Sequence, residues 1–182
     1  MSHKEEVVDR VLIDTTVSAV VEAPLDRIDL GTWLRGLSDE EYRQCAVPDH
    51  RANGWSTNAD GQLVSINVEE IGGELIIQHY VAEVLAPHHT RLVSLSELQT
   101  PGGWGTVEVV WDITVTALGP DRATFTNRVV SRPTRSLLKG LEDAGVTFEQ
   151  ASAERTAVVA EHNALETPNY AKSVERAVLA GN

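Results

Sequence analysis

The sequence predicts an α+β fold in which an antiparallel sheet of about seven strands packs against one long C-terminal helix. The first observation is a run of six β-branched segments between residues 51 and 131, separated by turns such as 58–61 and Gly72-Gly73. Turns this short join antiparallel neighbours. The second observation is the stretch 148–166, in which apolar residues recur with the period of an α-helix.

The N-terminal elements are one strand and two short helices. The strand is predicted at residues 11–22, which are rich in β-branched side chains and end at Ala23-Pro24. The helices are predicted at 28–36 and 38–45, and the second begins with Ser38 as a cap followed by three acidic residues.

The remaining strands are predicted at 51–57, 62–71, 74–85, 91–99, 105–118 and 122–131. A short helix within 133–144 precedes the long helix, which begins near Val146 and continues to Glu166. We expect Thr167-Pro168 to interrupt that helix, because proline cannot donate the helical hydrogen bond. A last helical piece then follows at 169–180.

The composition is that of one globular domain covering residues 1–182, with 42% hydrophobic and 23% charged residues. A formal net charge of −12 predicts that neither nucleic acid nor an anionic membrane is a partner. Cys45 is the single cysteine, which excludes an internal disulfide and fits a reducing compartment. The sequence has no apolar run of membrane-spanning length, so we expect a cytoplasmic protein. The oligomeric state stays open, with a homodimer among the alternatives.

The long helix carries two polar residues in the middle of its apolar side. His162 and Glu166 lie one turn apart, on the side that also carries Phe148, Ala151 and Val159. Burying an unpaired imidazole and carboxylate is costly, so groups on the sheet should face them.

Alternation predicts which side chains of the last two long strands face the helix. Trp111 shares the apolar face of its strand with Val109 and Ile113. Phe125 and Asn127 share the apolar face of the next strand, which makes Asn127 a polar residue of the interior.

The hairpin formed by residues 74–85 and 91–99 shows the same oddity as the helix. His79 alternates with apolar residues on one strand, and Glu97 does so on the other. If Leu85 pairs with Arg91, His79 lies opposite Glu97, and both face the helix. His79, Glu97, His162 and Glu166 would then form a site for Zn²⁺ or a similar divalent ion. The alternative is that His79 and Glu97 pair privately while His162 is a hydrogen-bonded core histidine.

The order of elements resembles the helix-grip fold of the START and birch-pollen-allergen superfamily, also called SRPBCC. The segment Val20-Val21-Glu22-Ala23-Pro24, a strand ending in Ala-Pro before a helix, is similar to the opening of many such proteins. The resemblance implies a curved antiparallel sheet wrapped around the C-terminal helix, with a cavity between them.

The helical sequence His162-Asn163-Ala164-Leu165-Glu166 resembles the C-terminal metal motif of the phloretin hydrolase and diacetylphloroglucinol hydrolase family. Carried over, the ligands of that family's zinc would be His79, Glu97, His162 and Glu166. The chain is shorter than those enzymes, and its first His and Glu are closer together in sequence.

This resemblance implies a zinc-dependent hydrolase that cleaves an acyl-phenol or β-diketone-like, polyketide-type small molecule. Trp111 and Phe125 would form apolar walls of the cavity, and Asn127 or Arg155 would orient the substrate. No residue is identified as the acid that protonates the leaving ring carbon. Two alternatives share the cavity: a metal-free polyketide cyclase or aromatase, and a non-enzymatic carrier of an apolar or aromatic small molecule.

Overall fold

The computed structural model describes residues 5–100 and 103–181. Its elements follow the predicted order. They are β1 (Ile13–Val21), a 3-10 turn (Leu25–Arg27), α1 (Leu30–Gly36), α2 (Asp39–Cys45), β2 (His50–Thr57), β3 (Leu63–Ile71), β4 (Glu74–Ala86), β5 (His89–Thr100), β6 (Gly103–Ala117), β7 (Ala123–Pro133), α3 (Arg135–Asp143) and α4 (Phe148–Leu179). The predicted turn at Pro101-Gly102 lies outside the described residues.

The described strands form one antiparallel sheet in the order β1-β7-β6-β5-β4-β3-β2. Apart from the pairing of β1 with β7, every contact joins strands that are consecutive in the chain, which is the pattern that the short turns predicted. Helix α4 lies across one face of this sheet, α2 packs against β2, and α1 packs against β4 and β5. The predicted fold class is therefore confirmed.

Helix α4 is one continuous helix through Pro168, so the predicted interruption at Thr167-Pro168 is wrong. Pro168 cannot bond to the carbonyl of Ala164, but both residues are exposed and water can bond to that carbonyl. The neighbouring carbonyl, that of Leu165, accepts a hydrogen bond from the side chain of Asn169, whose Nδ2 lies at 3.0 Å. Beyond the proline, Tyr170, Val174 and Val178 are buried, and their packing outweighs the local cost of about 3 kcal/mol.

The face of the sheet that α4 covers, here called the concave face, has two unlike halves. In β6 and β7 its side chains are mainly apolar, and this set is called the apolar half: Val107, Val109, Trp111, Ile113, Val115, Ala123 and Phe125. In β3, β4 and β5 they are mainly polar, and this set is called the polar half: Ser65, Asn67, Glu69, Gln78, Tyr80, Ser94 and Ser96. The inward orientation predicted for Trp111 and its strand is confirmed.

Among the described helices, none is both long and apolar enough to cross a membrane.

Candidate functional site

A cavity of about 970 Å³ lies between α4 and the concave face, with α3 on one side. Its wall combines residues of both halves of the sheet with one side of α4. Members of that wall on the sheet are Gln78, Tyr80, Val107, Val109, Trp111 and Ser131. A volume of this size holds a small molecule of several rings.

Four titratable side chains converge at this cavity, and we call them the His–Glu cluster: His50, Glu69, His162 and Glu166. The last three lie in the cavity wall, and His50 contacts Glu69 and Glu166 from outside the wall. All four are at least nine-tenths buried. His50 Nε2 is 3.2 Å from Glu166 Oε2 and 3.8 Å from Glu69 Oε1. His162 Nε2 is 3.6 Å from Glu166 Oε2.

Local structure explains this convergence. His50 is the first residue of β2 and pairs in register with Glu69 of β3, so the two side chains are direct cross-strand neighbours. His162 and Glu166 are one helical turn apart on the buried side of α4. The connection before β2 is held to both neighbours: Glu70 N donates to the Asp49 carbonyl at 2.8 Å, and Asn169 Nδ2 donates to the Cys45 carbonyl at 2.9 Å.

Further hydrogen bonds orient both imidazole rings. His50 Nδ1 donates to the Tyr42 carbonyl at 2.7 Å, and the Tyr42 ring stacks on the His50 ring with centroids 3.9 Å apart. His162 Nδ1 donates to Asp49 Oδ2 at 2.9 Å. Each ring therefore directs its Nε2 atom toward the carboxylates, and in the neutral form this atom carries a free lone pair.

The carboxylates are oriented as well. The Tyr42 hydroxyl donates a short hydrogen bond to Glu69. Asn127 Nδ2 donates to Glu166 Oε1 at 2.8 Å, and Asn127 Oδ1 accepts from Trp111 Nε1 at 2.9 Å. Glu166 is thus held by the apolar half of the sheet through one buried amide.

The charges within the cluster shift one another's pKa values. Burial by itself lowers the pKa of His162, but Glu166, Glu69 and Asp49 outweigh this and raise it to about 10. The pKa of His50 is also raised, because Glu166 and Glu69 outweigh the burial of its ring. The pKa of Glu166 is lowered, since both imidazoles together outweigh its burial. Without a metal, the cluster at neutral pH holds imidazolium and carboxylate groups side by side.

The cluster fits a divalent metal ion by an independent test of geometry. His50 Nε2 is buried, and despite its distance of 3.2 Å from Glu166 Oε2 it is not in hydrogen-bonding geometry with any described atom. One ligand atom each from His50, Glu69 and His162 lie within 4.8 Å of one another. Ligand atoms around a tetrahedral zinc are about 3.4 Å apart. The distances from His50 Nε2 to Glu166 Oε2, 3.2 Å, and to Glu69 Oε1, 3.8 Å, are close to this value. Hydrogen bonds from outside the ligand set, such as that of His162 with Asp49, are typical of metal-binding histidines.

Two residues of the predicted metal site lie elsewhere. His79 and Glu97 are exposed on the outer face of the sheet, so their predicted inward orientation is wrong. The register also differs, because Leu85 pairs with Thr90 and Ile77 with Glu97. The apolar residues that alternate with His79 face outward, and it is the polar residues between them that face the cavity. His162 and Glu166 meet His50 and Glu69 instead.

The four residues predicted to contact substrate have different positions. Trp111 lies in the cavity wall. Phe125 does not: it is fully buried, with its ring edge-to-face against Trp33 at 6.0 Å between centroids. Asn127 is fully buried and holds Glu166. Arg155 lies in the cavity wall and forms two hydrogen bonds with Glu74, at 2.5 and 3.0 Å.

His50 and Glu69 are the cluster residues that sequence reasoning missed. No local signal marks the pair: the regular hairpin register of residues 51–57 and 62–71 would set His50 opposite Glu70, and a β-bulge between His50 and Ala52 shifts it to Glu69. Cys45 is buried nearby, and burial raises the pKa of its thiol to about 12, so it is no candidate nucleophile.

No protein-family model and no curated protein matches the sequence. Solved structures match the fold. The Zhui aromatase/cyclase from Streptomyces sp. R1128 has a TM-score of 0.65 at 17% identity, over 93% of this chain and 98% of that chain. The di-domain ARO/CYC StfQ from the steffimycin biosynthetic pathway has a TM-score of 0.61 at 14% identity, over 93% of this chain. The chain spans about half of StfQ, 52% of its length. At these identities the similarity is one of fold, and it is the fold that the sequence implied: the chain has the helix-grip architecture.

Proposed function

We propose that this protein is an enzyme that acts on a carbonyl group of an apolar, partly aromatic, polyketide-type small molecule. The substrate occupies the cavity, and the His–Glu cluster is the reaction centre. One observation carries this proposal: Glu69, His162 and Glu166, three buried and mutually oriented members of the cluster, lie in the wall of a cavity of about 970 Å³. Strongly shifted pKa values in a cleft are typical of functional sites.

The first form of the proposal is metal-dependent hydrolysis of an acyl-phenol or β-diketone-like compound. His50, Glu69, His162 and Glu166 would hold a zinc ion, which supplies a Lewis acid and a bound water of lowered pKa. Asp49, Tyr42 and Asn127 keep the ligand side chains in position through the hydrogen bonds described above. Trp111 and the valines of the apolar half bind the ring of the substrate and exclude water from it.

The second form is a metal-free cyclisation, and two structures of similar fold favour it: both Zhui and StfQ are aromatase/cyclase proteins. The pKa of His162, raised to about 10, keeps this ring protonated at neutral pH, so that it donates a hydrogen bond to a substrate carbonyl oxygen. The Glu69 carboxylate, in the same wall, is placed to take a proton from the adjoining carbon.

Metal content tests which form applies. Protein without a histidine tag, purified without chelator, is analysed by elemental mass spectrometry. Metal-dependent hydrolysis predicts about one zinc per chain, lost in Glu166→Gln and His50→Ala. The matched control is His79→Ala, because His79 is exposed on the outer face and should keep the metal. Full activity in metal-free protein would exclude the hydrolase form.

Product analysis tests the reaction itself. Trihydroxyacetophenone and linear poly-β-ketone analogues are incubated with the protein, and products are measured by mass spectrometry. Hydrolysis consumes one water and releases acetate. Cyclisation with aromatisation releases water and no carbon-containing fragment. Saturable binding without turnover of any probe would contradict both forms and leave a carrier of apolar small molecules.

A further inference from the structure

The polar half of the sheet contains a buried amide that has no partner. Gln78 is 5% exposed and lies in the cavity wall, yet its side chain forms no hydrogen bond with any described residue. An amide buried without a partner destabilises the fold, so such groups are rare unless something else binds them. The orphan atom is Gln78 Oε1, and the residue lines the same cavity as Glu69, His162 and Glu166.

The polar neighbours of Gln78 satisfy one another and leave it out. Ser65 Oγ donates to Asn67 Oδ1 at 2.9 Å, and Ser96 Oγ donates to Ser94 Oγ at 3.1 Å. Gln78 lies between these pairs, directly opposite Asn67 in the register of β3 and β4. Its lack of a partner is therefore specific to this position and not a general property of the polar half.

The register also fixes the distance of Gln78 from the cluster. Because Gln78 is opposite Asn67, it is the diagonal neighbour of Glu69, two residues further along β3. Diagonal side chains on one face of a sheet are about 7–8 Å apart. A group bound by Gln78 thus lies about one aromatic ring away from the reaction centre.

A second orphan lies further along the same concave face. Ser131 is 2% exposed, lines the cavity, and its hydroxyl has no hydrogen-bond partner among the described residues. Ser131 belongs to β7, three strands away from β4, which at the usual strand spacing is about 14 Å. The two orphan groups therefore lie at two separate places in the cavity wall.

We propose that Gln78 and Ser131 are the polar contacts that select a ring carrying hydroxyl groups. The Gln78 amide binds a phenolic or enolic hydroxyl next to the reacting carbonyl, and Ser131 binds a second oxygen at the far edge of the molecule. This inference rests on the proposed function and names its substrate class: a polyhydroxylated aromatic or enolised polyketone, not a hydrocarbon-like ligand. An apolar half beside a polar half suits such a molecule, because its ring faces are apolar and its edges are polar.

Binding of two probes, one with hydroxyl donors and one with those hydroxyls methylated, tests this, and the Gln78 and Ser131 variants separate hydrogen bonding from the added size of the methyl groups. Affinities for trihydroxyacetophenone and for its trimethyl ether are measured by calorimetry. Wild type should bind the trihydroxy probe about tenfold more tightly, the equivalent of one or two hydrogen bonds. Gln78→Met, close in volume but unable to hydrogen-bond, should abolish most of this preference, and Ser131→Ala a smaller part. Gln44→Met is the matched control, since Gln44 is exposed on α2 and should leave the preference unchanged.

Thermal unfolding of the ligand-free variants separates binding from structure. A recognition residue predicts an unfolding midpoint in Gln78→Met that is unchanged or raised, because no protein hydrogen bond is lost. A lowered midpoint, or wild type that does not prefer the trihydroxy probe, would overturn the proposal. Turnover and metal content test the proposed function and are measured separately from probe binding. Failure of the Gln78 proposal therefore leaves the proposed function standing, and failure of the proposed function leaves the measured probe preference unchanged.

Discussion

The two halves of the concave face follow opposite rules. In the apolar half, Val109, Trp111 and Ile113 face inward, and the polar side chains that alternate with them face outward. In the polar half, Gln78 and Tyr80 face inward while Ile77 and Val81 lie half-buried on the outside. Both halves alternate equally well, so alternation alone separates two faces without saying which one is inside.

The difference follows from what each half packs against. In the apolar half, Ile113, Val115 and Phe125 belong to the hydrophobic core outside the cavity wall, so their inner face must be apolar. Val109 and Trp111 of the same half line the cavity and form its apolar wall. Strands of the polar half face the cavity and the His–Glu cluster, so polar side chains there have partners or a ligand. Their outer apolar residues cover one another across strands, as in the pairs Val68 with Ile77 and Val64 with Val81.

The sharpest test of this comparison is Phe125→Ala. Phe125 is fully buried in the apolar half and packs against Trp33, outside the cavity wall. Truncation should lower the free energy of unfolding by about 3–5 kcal/mol, because it removes a large buried apolar side chain and leaves a cavity in the core. Urea denaturation measures this.

The control for Phe125→Ala is Trp104→Ala. Trp104 is also a large aromatic residue, but it is 57% exposed, and its loss should change stability by less than about 0.5 kcal/mol. A loss below about 1 kcal/mol in Phe125→Ala, together with weakened ligand binding, would make Phe125 a cavity residue and contradict the division between core and cavity.

The next effect concerns pH and has opposite signs in metal-free and metal-bound protein. The pKa of His162 is raised to about 10, above its unfolded value near 6.5. Its protonation therefore stabilises the metal-free fold fully below about pH 6.5, and this contribution is lost as the pH rises toward 10. Thermal unfolding in chelator should show a midpoint that falls across this range.

Zinc affinity should change in the other direction. A metal must displace the proton that His162, with a pKa of about 10, holds at neutral pH, so affinity should rise about tenfold per pH unit for each proton displaced. Calorimetry in two buffers of different ionisation enthalpy counts these protons. Zinc binding without proton release would show that the ion binds outside the His–Glu cluster.

Most of the fold could be predicted because it depends on local signals. Strand alternation, short turns and caps such as Ser38, which accepts from Glu41 N, are each encoded within a few residues. The exception is Pro168, where the local rule predicts a break and the helix continues. Burial of Tyr170 and Val174 is a tertiary effect, and no window around the proline reveals it.

The site could be predicted only on the helix. His162 and Glu166 are one turn apart, and a fixed helical period sets them on one side whatever they pack against. His79 and Glu97 were chosen because apolar neighbours were taken to mark the inside, a rule that holds for a core and fails beside a polar cavity. His50 and Glu69 required the register of β2 with β3, and the predicted strand began one residue too late, at Arg51.

The smallest expected effect concerns the ion pair that joins α4 to the polar half. Arg155 and Glu74 are 17% and 27% exposed, with a shortest distance of 2.5 Å, and both lie in the cavity wall. A double-mutant cycle with Arg155→Met and Glu74→Gln should give a coupling of about 1 kcal/mol, because a partly exposed pair loses much of its attraction to solvent screening.

The matched control is the pair of Arg132 with Glu108 on the outer face of the apolar half, at 33% and 26% exposure and a distance of 3.1 Å. Both cycles should give similar stability couplings. Only the Arg155 and Glu74 variants should also change the association rate of a cavity ligand, because this pair lies in the cavity wall and the control pair does not. Equal rates in all four Arg155 and Glu74 proteins would show that the pair is a structural link between helix and sheet with no part in ligand entry.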